Sequence, residues 1–195
     1  MLGCVRERSF EGIRREEFVC QVEASLAIPP AAERPTLLEG AVRVLDRDSV
    51  DTDMIFHNRH LAITDLAAMG RHALGNLPGW EDFPERARPG DFLVAGANFG
   101  AGSSRQQAAD CFRALGLSGV IAPSFGAIYE RNAINAGFPV LRGELRGVLK
   151  EGDRIRVDLE TGAGERLDDG TGFRVEPMSP VQLRIYRRGG LLAGR

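Results

Sequence analysis

Gly96-Ala97-Asn98-Phe99-Gly100-Ala101-Gly102-Ser103-Ser104-Arg105 is the stretch whose reading decides the fold. Before it runs an apolar segment, Asp91-Phe92-Leu93-Val94-Ala95. After it Ala108, Ala109, Phe112 and Leu115 recur at helical spacing. The stretch therefore reads as strand, glycine-rich loop and helix start. Glycines let backbone amides approach a ligand closely. A helix start adds unpaired N–H groups and a positive dipole end. Two hydroxyls and a guanidinium stand at the junction, which suits a small anion such as a carboxylate. The competing reading is that these side chains simply cap the helix.

Downstream, Gly116 is placed to end that helix. Val120-Ile121-Ala122 is a short buried strand, Ser124 is placed to cap a helix over residues 125–136 ended by Gly137, and Pro139-Val140-Leu141 is another strand. Strand, helix, strand, helix, strand implies parallel pairing in an α/β layer. Residues 152–159, Arg166-Leu167 and Phe173-Arg174-Val175 alternate apolar and polar residues between Gly and Asp turns, so an antiparallel section follows. Pro180 to Arg187 predicts a last helix, stopped by Gly189-Gly190.

Upstream, Leu38 to Leu45 predicts the first strand. Asp46, Asp48, Asp51 and Asp53 crowd the loop after it. Closely spaced aspartates suit a hard cation, but the glycine and terminal glutamate of a calcium loop are missing, and turn chemistry explains the loop better. His57-Asn58-Arg59-His60 is dense in groups able to point at a ligand. Thr64-Asp65 predicts the cap of a helix through Leu66, Met69 and His72 to Leu74. His72 reads as a surface or packing residue, and Cys111 as a small core residue. Residues 75–89 are turn-rich, with Trp80 and Phe83 against the core. Residues 1–36 differ from the rest, with charges alternating in sign and Pro29, Pro30 and Pro35 breaking regular structure.

The chain has 195 residues, 43% hydrophobic and 27% charged, with a net charge of -2. That bounds it to one domain with a real core, or one domain with an appendage. Basic residues are spread out, so nucleic acid is not the expected partner. Cys4, Cys20 and Cys111 have no C-x-x-C spacing, which argues against a disulfide framework or an all-cysteine metal site. Reduced thiols in a cytoplasm fit best. No apolar run approaches the roughly 20 residues of a membrane helix, and the N-terminus lacks a signal-peptide core.

Gly96–Arg105 resembles the G-x-N-F/Y-G-x-G-S-S-R motif of the aconitase superfamily, in its swivel domain. Asp51-Thr52-Asp53-Met54-Ile55 and Arg59-His60-Leu61 are similar to its D-T-D-x-I and R-Y-L segments. Val120–Phe125 and Arg131–Asn135 resemble its V-I-A-x-S-F-A-x-I-x-x-R-N-A-I-N block. The resemblance covers roughly residues 38–190 in order. It implies an α/β fold of swivelling β/β/α type, a mixed sheet with a parallel βαβαβ section and antiparallel C-terminal strands. Residues 1–36 are then an N-terminal extension and residues 37–195 the swivel domain.

The resemblance also implies the small subunit of a two-subunit hydro-lyase. The large subunit would carry a [4Fe–4S] cluster whose open iron acts as Lewis acid on the leaving hydroxyl, and this chain would hold no metal. By position Ser103 is the base beside a substrate carboxylate, a role that needs a stabilised alkoxide. Arg105 would hold that carboxylate, Arg59 would be a second substrate-side arginine, and Ser104 and Asn98 would shape the loop or touch the carboxylate. The sequence departs from the family at Ala101, where many members have Cys, and at Gln106-Gln107, where they have Glu-His. The substrate-reading loop continues into Ala62-Ile63, and an apolar pair there suits an alkyl group rather than a further carboxylate. An alkyl-substituted malate, 3-isopropylmalate first, is the expected substrate. The alternatives are an aconitase, homoaconitase or dimethylmalate dehydratase small subunit, or a non-catalytic ligand-binding module reusing the fold.

Overall fold

The computed structural model describes residues 34–193. Cys4, Cys20 and the expected extension up to residue 33 lie outside the described residues. Seven strands form one sheet in the order β4-β3-β2-β1-β5-β6-β7. The strands are β1 (Leu37–Leu45), β2 (Phe92–Ala95), β3 (Gly119–Ala122), β4 (Val140–Arg142), β5 (Arg154–Asp158), β6 (Ala163–Arg166) and β7 (Gly172–Arg174). β1 is the seam. On one side it pairs parallel with β2, which continues parallel to β3 and β4. On the other side it pairs antiparallel with β5, which continues to β6 and β7. The parallel and antiparallel halves therefore meet on one strand.

The parallel strands read as unbroken apolar runs because both faces are covered. Every residue of β2 and β3 is buried. Leu93, Ala95, Val120, Ala122 and Val140 point into one core. There they meet α4 (Gln107–Ala114) and α5 (Ala127–Asn135) through Ala108, Phe112, Tyr129 and Ala133. Phe92, Val94, Ile121 and Leu141 point into a second core against α6 (Pro180–Arg188) and β5, through Leu183, Tyr186, Ile155 and Val157. Each fully buried large side chain contributes about 1.5–3 kcal/mol relative to exposure.

Short helices carry the chain between β1 and β2: α1 (Thr52–Ile55), a 3₁₀ turn Asn58–His60, α2 (Leu66–Met69) tightening into a 3₁₀ turn Gly70–His72, and α3 (Phe83–Arg86). Asp65 caps α2 by accepting from Ala67 N–H, so the helix starts where the sequence placed it and is shorter than expected. Asp91 is buried just before β2. It accepts from Arg43 Nε at 2.7 Å and from Arg88 N–H at 2.9 Å, which ties β1 to the turn entering β2. Ser179 and Gln182 form a reciprocal cap on α6, and Gly189 ends that helix with φ +86°. Arg34 donates to Gly137 O at 3.0 Å, and Tyr186 donates to Pro35 O at 2.8 Å, so the chain enters β1 fastened to α5 and α6.

One expected cap is absent. Ser124 does not cap α5, which begins after Gly126 with no side-chain cap bond. The backbone at residues 124–126 is engaged with the glycine-rich loop instead, because Phe99 N–H donates to Ser124 O and Gly126 N–H to Phe99 O.

Candidate active site

The glycine-rich loop lies between two neighbouring loops that hold its backbone from either side. On one side is the aspartate-rich loop after β1. Gly96 N–H donates to Arg47 O, Ser49 N–H to Ala97 O, Gly100 N–H to Val50 O and Thr52 N–H to Ala101 O. Asp48 Oδ1 accepts from Ala97 N–H at 2.8 Å. On the other side is the Ser124–Gly126 segment. Asn98 sits in the left-handed region at φ +56°, where asparagine is tolerated. Its N–H donates to Ser124 Oγ at 2.8 Å and its Nδ2 to Ser49 Oγ at 3.3 Å, so it shapes the loop while its side chain stays exposed.

Close approach explains the glycines. A Cβ at Gly100 would stand 2.2 Å from the Tyr129 ring beneath it, and a Cβ at Gly96 would stand 2.2 Å from Arg47 O. Tyr129 is itself buried between Phe99, edge-on at 5.4 Å, and Phe125, stacked at 6.4 Å. The loop therefore rests on an aromatic floor.

From Ser103 to Gln107 the backbone N–H groups have no acceptor among the described residues. α4 begins at Gln107 with no side-chain cap bond, so the capping alternative for Ser103 and Ser104 does not hold. Both serines are exposed. The hydroxyl of buried Thr52 donates to Ser103 O at 3.1 Å and lies 3.4 Å from Ser103 Oγ.

Arg105 is folded back onto the aspartate-rich loop. Its Nη1 donates to Asp53 Oδ1 at 2.7 Å and to Phe56 O at 3.3 Å, and its remaining N–H groups have no partner among the described residues. Burial pushes the Asp53 carboxyl up, but Asn58 N–H and the Arg105 guanidinium outweigh it and hold the group below the usual carboxylate range. Asn76 Nδ2 braces the other oxygen of Asp53 at 3.2 Å. The crowded aspartates thus have separate uses. Asp51 caps α1 by accepting from Asp53 and Met54 N–H, Asp53 anchors Arg105, and Asp46 and Asp48 face Arg146.

Arg59 is exposed on the 3₁₀ turn Asn58–His60 and has no carboxylate partner among the described residues. Ala62 is exposed, and Ile63 is half-buried against the core. Gln107 Nε2 reaches Leu61 O at 3.3 Å, so the start of α4, directly after Ser103–Arg105, is tied to the segment carrying Arg59, Ala62 and Ile63. Gln106 pairs along its own helix with Asp110.

Sequence reasoning missed the Asp53–Arg105 pair, the Thr52 hydroxyl at Ser103 and the Gln107 tether. The first two lie in the D-T-D segment, where sequence similarity gave a signal but no partner. The tether joins residues 46 positions apart and has no sequence signal.

Cys111 does not suit an iron–sulfur cluster. It is fully buried, and burial pushes its thiol far above the ordinary range. Among the described residues no group of three or more His, Cys, Asp or Glu side chains is placed to hold a metal. Nor does any described helix have the length and apolarity to cross a membrane.

The Aconitase C-terminal domain family matches residues 33–142. The 3-isopropylmalate dehydratase small subunit of Pyrobaculum calidifontis is 42% identical over 146 residues, 74% of this chain and 89% of that protein. The methanogen homoaconitase small subunit of Methanothermobacter thermautotrophicus is 39% identical over 146 residues, 74% of this chain and 83% of that protein. The crystal structure of 3-isopropylmalate dehydratase from Methanocaldococcus jannaschii is similar with a TM-score of 0.74 and 32% identity, over 80% of this chain and 92% of that one. The chain belongs to the aconitase C-terminal domain family, as a small subunit of the hydro-lyase type.

Proposed function

We propose that this chain supplies the base and the carboxylate clamp for dehydration and rehydration of 3-isopropylmalate, within a complex whose large subunit carries the [4Fe–4S] cluster. The observation that carries this reading is the open end of the glycine-rich loop. Exposed Ser103 stands among partner-free N–H groups, two residues before Arg105, whose guanidinium is oriented by Asp53. A serine alkoxide is very unfavourable in water, and amide donors aimed at the developing charge are what make one reachable. Thr52 can add a donor by turning its hydroxyl from Ser103 O to Ser103 Oγ. The free N–H groups of Arg105 remain for a substrate carboxylate. Arg59 offers a second guanidinium, and Ser104 and Asn98 line the loop. Ala62 and Ile63 bring no charge to the substrate-reading segment, which favours an alkyl substituent over a further carboxylate.

The homoaconitase relative supports a second reading, a substrate with an additional carboxylate. Anaerobic co-purification with the large subunit, followed by a screen of hydroxy acids for absorbance of the unsaturated product, separates the two. Turnover of 3-isopropylmalate is expected. Turnover of citrate or homocitrate but not of 3-isopropylmalate overturns the substrate assignment. The biosynthetic relatives favour a cytoplasmic location for this chain, and residues 1–36 stand in this reading as an extension to a domain of residues 37–195.

A further inference from the structure

The chain has three histidines, and all three lie together on and beside the segment that carries Arg59. His60 ends the 3₁₀ turn Asn58–His60, and His72 ends the turn that follows α2. Their rings stack, with centroids 3.8 Å apart and planes 16° apart. The buried ring of Phe56 stands edge-on to both, at 6.0 and 6.2 Å. His57 stands edge-on to His60 at 6.4 Å, and its Nδ1 accepts from Arg59 N–H.

Arg59 Nε lies 2.9 Å from His60 Nε2. A guanidinium has only donors, so His60 Nε2 must be the unprotonated ring nitrogen for this bond to exist. The charged and titratable groups facing His60 are Arg59, His57 and His72, and His72 in turn faces Arg71 and Arg59. No carboxylate faces the two stacked rings directly, while Asp53 faces His57 beside them. A proton on His60 would meet the Arg59 cation and would remove the acceptor that holds it.

The geometry points to His60, backed by its stack on His72, as the positioning residue that fixes the Arg59 guanidinium while His60 is neutral and releases it when His60 is protonated. This rests on the reading of Arg59 as a substrate-side arginine. Burial, then the neighbouring cationic charge, holds both imidazoles below their ordinary value, so the neutral state prevails at pH 7.

Two measurements test it. In the ¹⁵N-labelled full-length chain, the Arg59 Nε–H resonance and the His60 ring nitrogens are followed between about pH 5 and 8. The two should move with one midpoint below the ordinary histidine value. In the assembled complex, KM and kcat for 3-isopropylmalate are measured over the same range. KM should rise toward low pH with that midpoint while kcat changes less. His60→Phe keeps a ring against His72 and loses the acceptor, so its KM should be raised about tenfold at neutral pH and be flat with pH. His60→Gln keeps an acceptor that does not titrate, and should restore a low, flat KM. An Arg59 resonance that ignores the His60 titration overturns the inference, as does a KM that falls on acidification or a His60→Phe variant with unchanged KM. Coupled resonances in the chain, together with a complex that turns over no hydroxy acid, support the Arg59–His60 unit and remove the assigned reaction instead.

Discussion

Gly100 and Tyr129 show how single residues set the loop that holds Ser103. Gly100 has φ +75° and lies directly on the Tyr129 ring. Gly100→Ala combines a left-handed backbone with overpacking, and should cost about 2–4 kcal/mol in chemical denaturation. Tyr129→Phe should go the other way. The Tyr129 hydroxyl is buried without a hydrogen-bond partner, so its removal leaves nothing unsatisfied, and stability should hold or rise. A loss above about 1 kcal/mol would mean that the hydroxyl has a polar partner in solution. The glycines were legible in the sequence because they let the backbone approach a neighbour closely, and Asn98 was legible through the family resemblance, without its φ of +56°. Tyr129 as the floor was not, since its contact to Gly100 depends on how α5 is laid against the loop.

At the scale of elements, the parallel strands and the helices between them were legible because their periods are long enough to read. Both faces of β2 and β3 are covered, and α4 buries Ala108, Ala109, Cys111 and Phe112. The pieces that build the site were not. α1, α3 and the two 3₁₀ turns span three or four residues each, less than a readable period. The Ser124 cap was misplaced because a serine before a helix and a serine serving a neighbouring loop look alike in sequence. One contact ties such a piece to the glycine-rich loop, Asp53 of α1 to Arg105 before α4. Asp53→Ala leaves Arg105 Nη1 only the Phe56 carbonyl, and kcat/KM of the complex should fall about 10- to 100-fold with assembly retained. Asp91 belongs to the frame rather than the site. Asp91→Ala leaves Arg88 N–H without an acceptor and Arg43 with Glu151 as its remaining carboxylate at the entry to β2, and should lower stability by about 1–3 kcal/mol without changing KM.

At the scale of the whole molecule, the histidine stack gives folding a pH dependence. In the unfolded chain each imidazole binds a proton near its ordinary value of 6.5, and in the fold His60 and His72 bind it less readily. The unfolded state therefore holds more protons as pH falls through about 6.5, and stability declines with it. Urea midpoints should be flat above neutrality and fall on acidification toward pH 5, and the slope in that window should shrink in His60→Phe. The carboxylates held low by partners, such as Asp53 and Asp158, add their own loss only nearer their unfolded values around 4. The larger consequence of the architecture is that Ser103 and Ser104 stand exposed on one end of the loop. The similar proteins are small subunits of a dehydratase or a homoaconitase, so turnover should require the large subunit, and the proposed role of Ser103 as base is tested there. The most direct measurement compares the native complex with Ser103→Ala, assembled with the same large subunit under anaerobic conditions and assayed on 3-isopropylmalate. The account predicts that the variant assembles normally and loses turnover by at least about a thousandfold. Near-native turnover by an assembled Ser103→Ala complex would contradict it.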